Sequence, residues 1–333
     1  MSRPDAEWEL RQDAFVARLA QGSLSDLERG TIVVLPSASF PVDELTKITG
    51  IQYYEERMLF TTLFLRNAAT RVVYLTSMPV DDAVVEYYLS FLPDPDDARR
   101  RLDFHAVDDT SPLCLTEKLL ARPHAIAAIR DLVGDPDDAY VLPFNITSGE
   151  RALAVALGLP LYGGHPDLAR LGSKTGSRRV ARRAGVAVLE GSEDLHSLAE
   201  IESAIRGIQE RRPSAEAVVI KLNDGFSGQG NAIVELKGPT PVVPLASSPT
   251  TFCAAGEAWA AFAAKVADRG AIVEELVRHR SLTSPSVQIR VAPGGAIEVV
   301  STHDQVLGGP DSQVYLGCRF PADKAYRLAI QDA

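Results

Sequence analysis

The chain has 333 residues, of which 46% are hydrophobic and 23% charged, so it can bury the core of one large or two ordinary domains. Its formal charge of -10 disfavours nucleic acid as a partner, because an acidic protein repels a polyanion. The three cysteines lie far apart without a CxxC pair, which argues against a disulfide framework or a zinc site and indicates a reducing compartment.

The N-terminus is polar and acidic, unlike a signal peptide, and no apolar run approaches the length of a membrane span. We therefore predict a cytoplasmic protein with neither a nucleic-acid nor a membrane partner. Association into a homo-oligomer stays open.

The first half alternates short β-branched runs with longer helical patterns. The predicted strands are residues 31–35, 71–76, 102–107, 139–144 and 160–163. The predicted helices are residues 43–66 with a break near Gly50, 81–91, 116–132 with a break at Pro123, and 148–157. This alternation predicts an α/β fold with a parallel sheet covered by helices on both faces. Functional groups in such a sheet lie beyond the carboxyl ends of the strands.

The pattern changes near Gly172 to one that is richer in strands, which predicts an α+β second half. The predicted helices are residues 173–184, 193–211 and 254–267, and a strand is predicted over residues 186–189. Antiparallel strands are predicted over residues 217–222, 231–236, 271–277, 286–291 and 296–301, with a turn at 293–295 and a proline-rich loop at 238–249. The four arginines between residues 178 and 183 are expected to form a solvated helix face.

The strongest local signal is the segment 221–231, in which Lys221 ends an apolar strand and a glycine-rich loop leads to a second strand. Glycines allow backbone N–H groups to approach an anion, and a lysine adds a positive charge for phosphate. Walker A and dinucleotide-binding loops lie between a strand and a helix, so neither fits this order. An ordinary glycine-rich hairpin is an equally good interpretation of the loop alone.

Two further features strengthen the case for an anion site. Lys174 lies at the start of a predicted helix, and Glu274 and Glu275 lie in the middle of an apolar strand. A carboxylate that accepts the adenine amino group would explain such a pair. An ion pair with an arginine such as Arg278 or Arg280 is the alternative.

In this order of motifs the chain resembles the ATP-grasp superfamily, and more narrowly its peptide ligases of the pheganomycin type. The matching stretches are residues 54–57 (YEER), 171–178 (LGSKTGSR), 221–231, 274–277 (EELV), 284–288 (SPSVQ), 301–305 (STHDQ) and 317–322 (GCRFPA). The resemblance implies a Rossmann-like pre-ATP-grasp domain over residues 1–170. It also implies an ATP-grasp domain over residues 171–333, consisting of the N-terminal lobe and the start of the C-terminal lobe.

The resemblance also implies an activity: ATP-dependent coupling of a small-molecule carboxylate to an amine, an amino acid or a peptide, through an acyl phosphate. The implied ATP-binding residues are Lys174, Lys221, Asn223, Gly225, Ser227, Gly228, Gly230, Asn231, Glu274, Glu275 and Val277. We predict that Arg290, His303 and Asp304 are catalytic, although a surface arginine and a structural histidine are alternatives.

Mg²⁺ is the implied second cofactor, but its ligands are not identified in this sequence. Members of the family carry them on later strands, so the resemblance implies an ATP-grasp domain that is truncated at its C-terminus. The alternative function is a nucleotide-binding or regulatory module without ligase turnover. A Rossmann-type oxidoreductase is disfavoured, because no strand leads into GxGxxG and a helix.

Overall fold

The computed structural model describes residues 3–21, 29–225, 228, 230–236, 244–292 and 294–332. The chain falls into two compact units, Met1–Ala169 with Ala292–Ala296 and Arg170–Val291 with Ile297–Ala333. The assignment of residues 1–170 to a pre-ATP-grasp domain and of residues 171–333 to an ATP-grasp domain stays a prediction. None of the helices in the described ranges is long and apolar enough to cross a membrane.

A four-stranded parallel sheet forms the centre of the first unit. Its strands are β1 (Gly30–Leu35), β2 (Thr70–Thr76), β3 (Leu102–Ala106) and β4 (Ala139–Pro143). They lie in the order β3-β2-β1-β4. Successive side chains point to opposite faces, and both faces are buried: Val33 and Val73 belong to one core cluster, Ile32 and Val72 to another.

Helices cover both faces of this sheet, which confirms the predicted α/β layout. The main helical elements are α1 (Arg3–Gln21), α2 (Val42–Leu45), a 3-10 helix (Ile51–Arg66), α3 (Asp82–Leu89), α4 (Pro95–Arg100), α5 (Leu115–Leu120), α6 (Pro123–Val133) and α7 (Ser148–Leu157). Helices α5, α6 and α7 pack on one face, while the 3-10 helix, α3 and α4 pack on the other.

The helix predicted over residues 43–66 is confirmed together with its break near Gly50, and the segment after the break is a 3-10 helix. Thr61 and Thr62 donate their hydroxyl hydrogen bonds to carbonyls three residues earlier, which competes with α-helical geometry. Residues 160–163 form only a single bridge, between Leu161 and Val141, instead of a strand.

Buried polar side chains fill the carboxyl edge of the parallel sheet. Glu55 accepts hydrogen bonds from the Ser77 amide at 2.5 Å and the Ser77 hydroxyl at 2.6 Å, and Lys118 Nζ donates to the same hydroxyl at 2.9 Å. Burial raises the pKa of Glu55 to about 7, although the hydrogen bonds from Ser77 and the charge of Lys118 oppose the shift. These polar groups therefore satisfy one another within the unit.

In its described residues the second unit consists of two antiparallel sheets and four α-helices, which confirms its α+β character. The strands are β5 (Gly191–Leu195), β6 (Ala217–Leu222), β7 (Asn231–Glu235), β8 (Thr250–Phe252), β9 (Ala271–Glu275), β10 (Pro285–Val291), β11 (Ile297–Gly308) and β12 (Val314–Arg319). The sheet orders are β5-β9-β6-β7-β8 and β10-β11-β12. The α-helices are α8 (Lys174–Arg183), α9 (Leu198–Arg211), α10 (Trp259–Arg269) and α11 (Ala329–Asp332).

One face of the five-stranded sheet packs against α9 and α10, where Val218 and Ile220 of β6 meet Ile205 and Phe262. The alternate residues of β6 belong to a smaller apolar cluster on the opposite face. Strand β6 is therefore buried on both faces. This burial fixes the position of Lys221, which lies one residue before the end of the strand.

The structure corrects the predictions between β4 and β6. Residues 186–189 do not form a strand; β5 lies further along the chain and pairs with β9. The helix predicted from residue 193 begins at Leu198, where the Ser197 hydroxyl accepts a hydrogen bond from the Glu200 amide at 3.2 Å. Ser197 is thus a helix cap that the apolar pattern did not reveal.

The later part of the chain departs from prediction mainly in strand length. Strand β11 continues to Gly308, because its second half pairs with β12, which was not predicted. The predicted hairpin of β10 and β11 is confirmed, although Pro293 of its turn lies outside the described residues. Of the proline-rich stretch, residues 237–243 also lie outside them.

Candidate functional site

Helix α8 places Lys174 at its first residue. The Ser173 hydroxyl caps the helix by accepting a hydrogen bond from the Gly176 amide at 3.0 Å. The Asn223 side-chain oxygen accepts the Thr175 amide at 3.0 Å, and the Asn223 carbonyl accepts the Lys174 amide at 3.3 Å. The start of α8 is therefore held against the residue that follows β6.

Asn223 also connects this helix to α10. Its side-chain Nδ2 donates to the Arg269 carbonyl at 2.9 Å, and its amide donates to the Gly270 carbonyl at 3.1 Å. Both polar groups of the side chain are thus occupied by the protein. The structure places Asn223 as a residue that positions α8, and its predicted contact with ATP stays a prediction.

A cluster of charged side chains joins α8, β6 and β9. Lys221 Nζ lies 2.8 Å from one carboxylate oxygen of Glu274, and Arg178 binds the other oxygen. The side chains of Arg178, Glu274 and Lys221 are 5%, 12% and 22% exposed. Burial alone would raise the pKa of Glu274, but Lys221 and Arg178 together hold it below its ordinary value.

Lys174 belongs to the same cluster electrostatically. Burial, and then the positive charge of Lys221, lower the pKa of Lys174, while Asp224 and Glu274 act in the opposite direction. Lys174 and Lys221 are therefore held close enough for their positive charges to repel each other. An anion that binds beside both lysines would relieve this repulsion.

The glycine-rich loop lies against the segment before β12. Gly228 has a φ of +84°, and a Cβ there would lie 2.1 Å from the Gln313 carbonyl oxygen. The same carbonyl accepts a hydrogen bond from Asn231 Nδ2 at 3.5 Å. Only glycine fits this close approach at this φ. Ser227, which we predict to donate to phosphate, lies outside the described residues.

The other two predicted loop glycines come together at the base of the loop. A Cβ on Gly225 would lie 3.2 Å from the Cα of Gly230, and the Gly230 carbonyl accepts the Leu222 amide. The loop is therefore narrow where it leaves β6 and enters β7.

The two glutamates of β9 differ in their surroundings. The carboxylate of Glu275 has only a long contact of 3.7 Å to Arg212, and its amide donates to Glu190. Glu274 instead forms the ion pairs described above, with Arg178 rather than with Arg278 or Arg280. Val277, just beyond β9, is 41% exposed. Adenine contacts by Glu274, Glu275 and Val277 stay predictions.

The three predicted catalytic residues lie on the other sheet of the unit. Arg290 forms an exposed cross-strand ion pair with Glu298. The ring of His303 lies 5.5 Å from that of Phe320. Asp304 accepts hydrogen bonds from the Tyr326 hydroxyl and from the Asp323 amide. None of these contacts joins the lysine cluster.

Arg178 is a site residue that the sequence interpretation missed. We expected the basic run of α8 to be solvated, but Arg178 is buried and binds Glu274, Glu193 and the Leu189 carbonyl. The available signal was its spacing, because residues four apart share one face of a helix and Lys174 is four residues earlier.

No group of three histidine, cysteine or acidic side chains in the described ranges could hold a metal ion. Glu298 is paired with Arg290, and both oxygens of Asp304 are engaged. The described residues therefore do not fit a Mg²⁺ site of their own.

The chain is similar in sequence to proteins that include a ligase of amino acids. The chain is 32% identical over 298 residues to the L-propargylglycine–L-glutamate ligase of Streptantibioticus cattleyicolor, an alignment that covers 87% of this chain and 60% of that protein. It is 22% identical over 345 residues to the IQ motif-containing protein H of Danio rerio, covering 87% of this chain and 32% of that protein. The chain thus spans less than two thirds of either relative.

Among solved structures, the fold is similar to that of N5-carboxyaminoimidazole synthetase from Staphylococcus aureus complexed with ADP, with a TM-score of 0.49 and 11% identity over 91% of this chain and 61% of that one. No protein-family model matches the chain. The ligase relative supports the resemblance of the chain to the carboxylate–amine ligases of the ATP-grasp superfamily.

Proposed function

We propose that the second unit binds ATP at the cluster formed by Lys174, Lys221 and the glycine-rich loop. The observation that carries the proposal is the convergence of two lysines from α8 and β6, of which Lys221 lowers the pKa of Lys174 by its charge. A triphosphate would accept hydrogen bonds from both lysines and relieve their repulsion. The loop glycines 225, 228 and 230, with Ser227 and Asn231, would bring amide and side-chain donors to the phosphates.

We further propose that the whole protein couples a carboxylate to an amine. An oxygen of the substrate carboxylate attacks the γ-phosphorus of ATP, which gives an acyl phosphate and ADP. The amine nitrogen then attacks the acyl carbon, phosphate leaves, and the nitrogen loses a proton to give the amide. The name of the ligase relative, which joins two amino acids, supports an amino acid or peptide as substrate.

The residues of the cluster would act mainly through charge and position. Lys174 and Lys221 would neutralise negative charge on the phosphates, and Arg178 with Glu274 would hold Lys221 in place. Arg290, His303 and Asp304 stay proposed catalytic residues. Mg²⁺ stays a prediction, and we assign no step to it, because the described residues do not offer a fitting set of ligands.

The test measures nucleotide affinity by calorimetry for the wild type and two variants. We expect Lys221→Met to weaken ATP binding by about 2 kcal/mol, the contribution of one charge-assisted hydrogen bond. Arg179→Gln removes a positive charge from the same helix, but its partner is the exposed Asp194, so ATP affinity should stay within about twofold of the wild type.

NAD serves as the competing ligand, and ADP release with L-glutamate and mixed amino acids reports turnover. The proposed site would be contradicted if the wild type bound NAD as tightly as ATP. It would also be contradicted if Lys221→Met bound ATP with unchanged affinity. ATP binding without ADP release by the whole protein would favour the alternative of a nucleotide-binding module.

A further inference from the structure

The second unit contains an open cavity of about 870 Å³, which shares only Val277 with the predicted ATP-binding residues and Asp304 with the proposed catalytic residues. It begins at Val277, next to β9, and extends past the 3-10 turn Pro310–Ser312 to the end of β12. The wall formed by Asp311 and Ser312 is adjacent in sequence to Gln313, on which the glycine-rich loop rests. The cavity therefore adjoins the predicted phosphate loop within one unit.

The three acidic side chains that line this cavity already have partners; that of Asp323 accepts a hydrogen bond from the Ala325 amide at 2.8 Å. Asp311 binds Arg278, which also binds Glu235, and these contacts raise the pKa of Arg278 above its already high ordinary value. Asp304 accepts the hydrogen bonds from the Tyr326 hydroxyl and the Asp323 amide. Arg278 thus serves as a structural clamp between β7 and the turn after β11.

Two other arginines of the cavity have no such partner. Within the described part of the chain, neither Arg280 nor Arg319 forms an ion pair or a side-chain hydrogen bond. Both guanidinium groups are permanently charged and carry five donors in a planar fork, a geometry that matches the two oxygens of a carboxylate or the oxygens of a phosphate. The cavity therefore has unpaired positive charge at two positions.

The backbone holds both arginines at defined places. Arg280 lies inside a turn that is closed by a hydrogen bond from the Leu282 amide to the His279 carbonyl at 3.2 Å. Arg319 is the last residue of β12 and pairs in register with Asp304 of β11. The backbone at both positions is therefore ordered, and both side chains are exposed to a ligand that enters the cavity.

We propose that Arg280 and Arg319 form an anion subsite that binds the free carboxylate of the amino-acid or peptide substrate. This inference rests on the proposed ligase function and names the group of the substrate that the cavity recognises. An amino acid that reacts through its amine keeps a negative carboxylate, which needs a cationic partner away from the phosphates. The phosphate of ATP shares this anion chemistry, and the experiment separates the two sources.

The experiment compares Arg280→Gln and Arg319→Gln with Arg206→Gln, an exposed arginine on α9 outside the cavity. Calorimetry in the presence of ATP measures binding of a panel of L-amino acids and of the corresponding amino-acid amides. ATP and inorganic phosphate are titrated separately. We expect at least one acid to bind wild type and its amide to bind at least tenfold more weakly. In each cavity variant the affinity for the acid should fall at least tenfold, and the affinity for ATP should fall less than threefold.

The proposal would be overturned if the wild type bound ATP but none of the amino acids. It would also be overturned if the amides bound as tightly as the acids, or if both cavity variants bound the acids with unchanged affinity. A loss of affinity for ATP or phosphate alone would assign the arginines to the nucleotide and would also overturn it. Failure of wild type to bind ATP at all would instead contradict the proposed function. Arg206→Gln should bind every probe as the wild type does.

Discussion

The ion pairs of Glu274 allow a sharp test by Glu274→Gln. Glutamine keeps the size of the side chain and one acceptor oxygen, but it loses the charge that faces Lys221 at 2.8 Å and Arg178 on the other side. One of the two cations therefore loses its acceptor in a site that is largely buried. A hydrogen bond to a charged group contributes about 1.5–3 kcal/mol, so we expect the free energy of unfolding to fall by about 2 kcal/mol.

Glu275→Gln is the matched control on the same strand. Its carboxylate has only the 3.7 Å contact to the exposed Arg212, and such a pair contributes under about 1 kcal/mol. Urea unfolding followed by tryptophan fluorescence measures both variants. In a Trp8→Phe background, Trp259 of the second unit is the single remaining tryptophan and reports on the unit that carries the substitutions.

The pH dependence gives an independent check of the same contact. The pKa of Glu274 is held below its ordinary value of 4.5. Its ionised form therefore stabilises the fold above about pH 4.5, and this stabilisation is lost as the pH falls through the lowered pKa of the folded state. The difference between wild type and Glu274→Gln should shrink in acid. A variant as stable as Glu275→Gln, or a difference that is independent of pH, would refute the reasoning.

Three further predictions concern Lys174, Glu55 and Gly228. Lys174→Met should keep the unfolding midpoint of the ligand-free protein unchanged or higher, because burial and Lys221 disfavour the Lys174 charge, while the midpoint shift caused by ATP disappears. Glu55 has a pKa of about 7, above its ordinary value, so its contribution to stability is complete in acid and is lost as the pH rises through 7. Stability of the first unit, followed by Trp8 in a Trp259→Phe background, should therefore fall by about 1 kcal/mol between about pH 6 and 8, and Glu55→Gln should abolish this fall. Gly228→Ala should lower the free energy of unfolding by about 2 kcal/mol, since its Cβ would meet the Gln313 carbonyl. Gly256→Ala has a similar positive φ but open space around the Cβ, so in urea unfolding it should cost only about 1 kcal/mol.

The sequence predicted the elements whose stability comes from local pattern and two-sided burial. The β-branched runs of β1, β2 and β6 are buried on both faces. A continuous apolar run of this kind lacks the polar face that an exposed helix needs, so the pattern predicts a buried strand. β5 was missed because its segment, Gly191–Leu195, is polar and is a strand only through pairing with β9. The length of β11 likewise depends on a partner strand far along the chain.

Within the site, the sequence indicated which residue types lie near each other but not their pairing. Lys174 and Lys221 were predicted from motif order, and the structure brings them into one electrostatic cluster. The partner of Glu274 was expected to be adenine or a nearby arginine. The observed partner, Arg178, is 96 residues away in sequence, a relation that only the packing of α8 on β9 creates. The catalytic assignments relied on position along a strand, which does not show that Arg290 faces Glu298.

The repulsion between Lys174 and Lys221 couples nucleotide binding to the protonation of Lys174. In the free protein, burial and Lys221 shift Lys174 towards its neutral form. A bound phosphate would favour the charged form again, so binding at alkaline pH would draw a proton from the solvent. The heat of binding would then vary with the ionisation enthalpy of the buffer, and the affinity would decline with rising pH. The site would thus exchange protons with its surroundings each time the nucleotide enters or leaves.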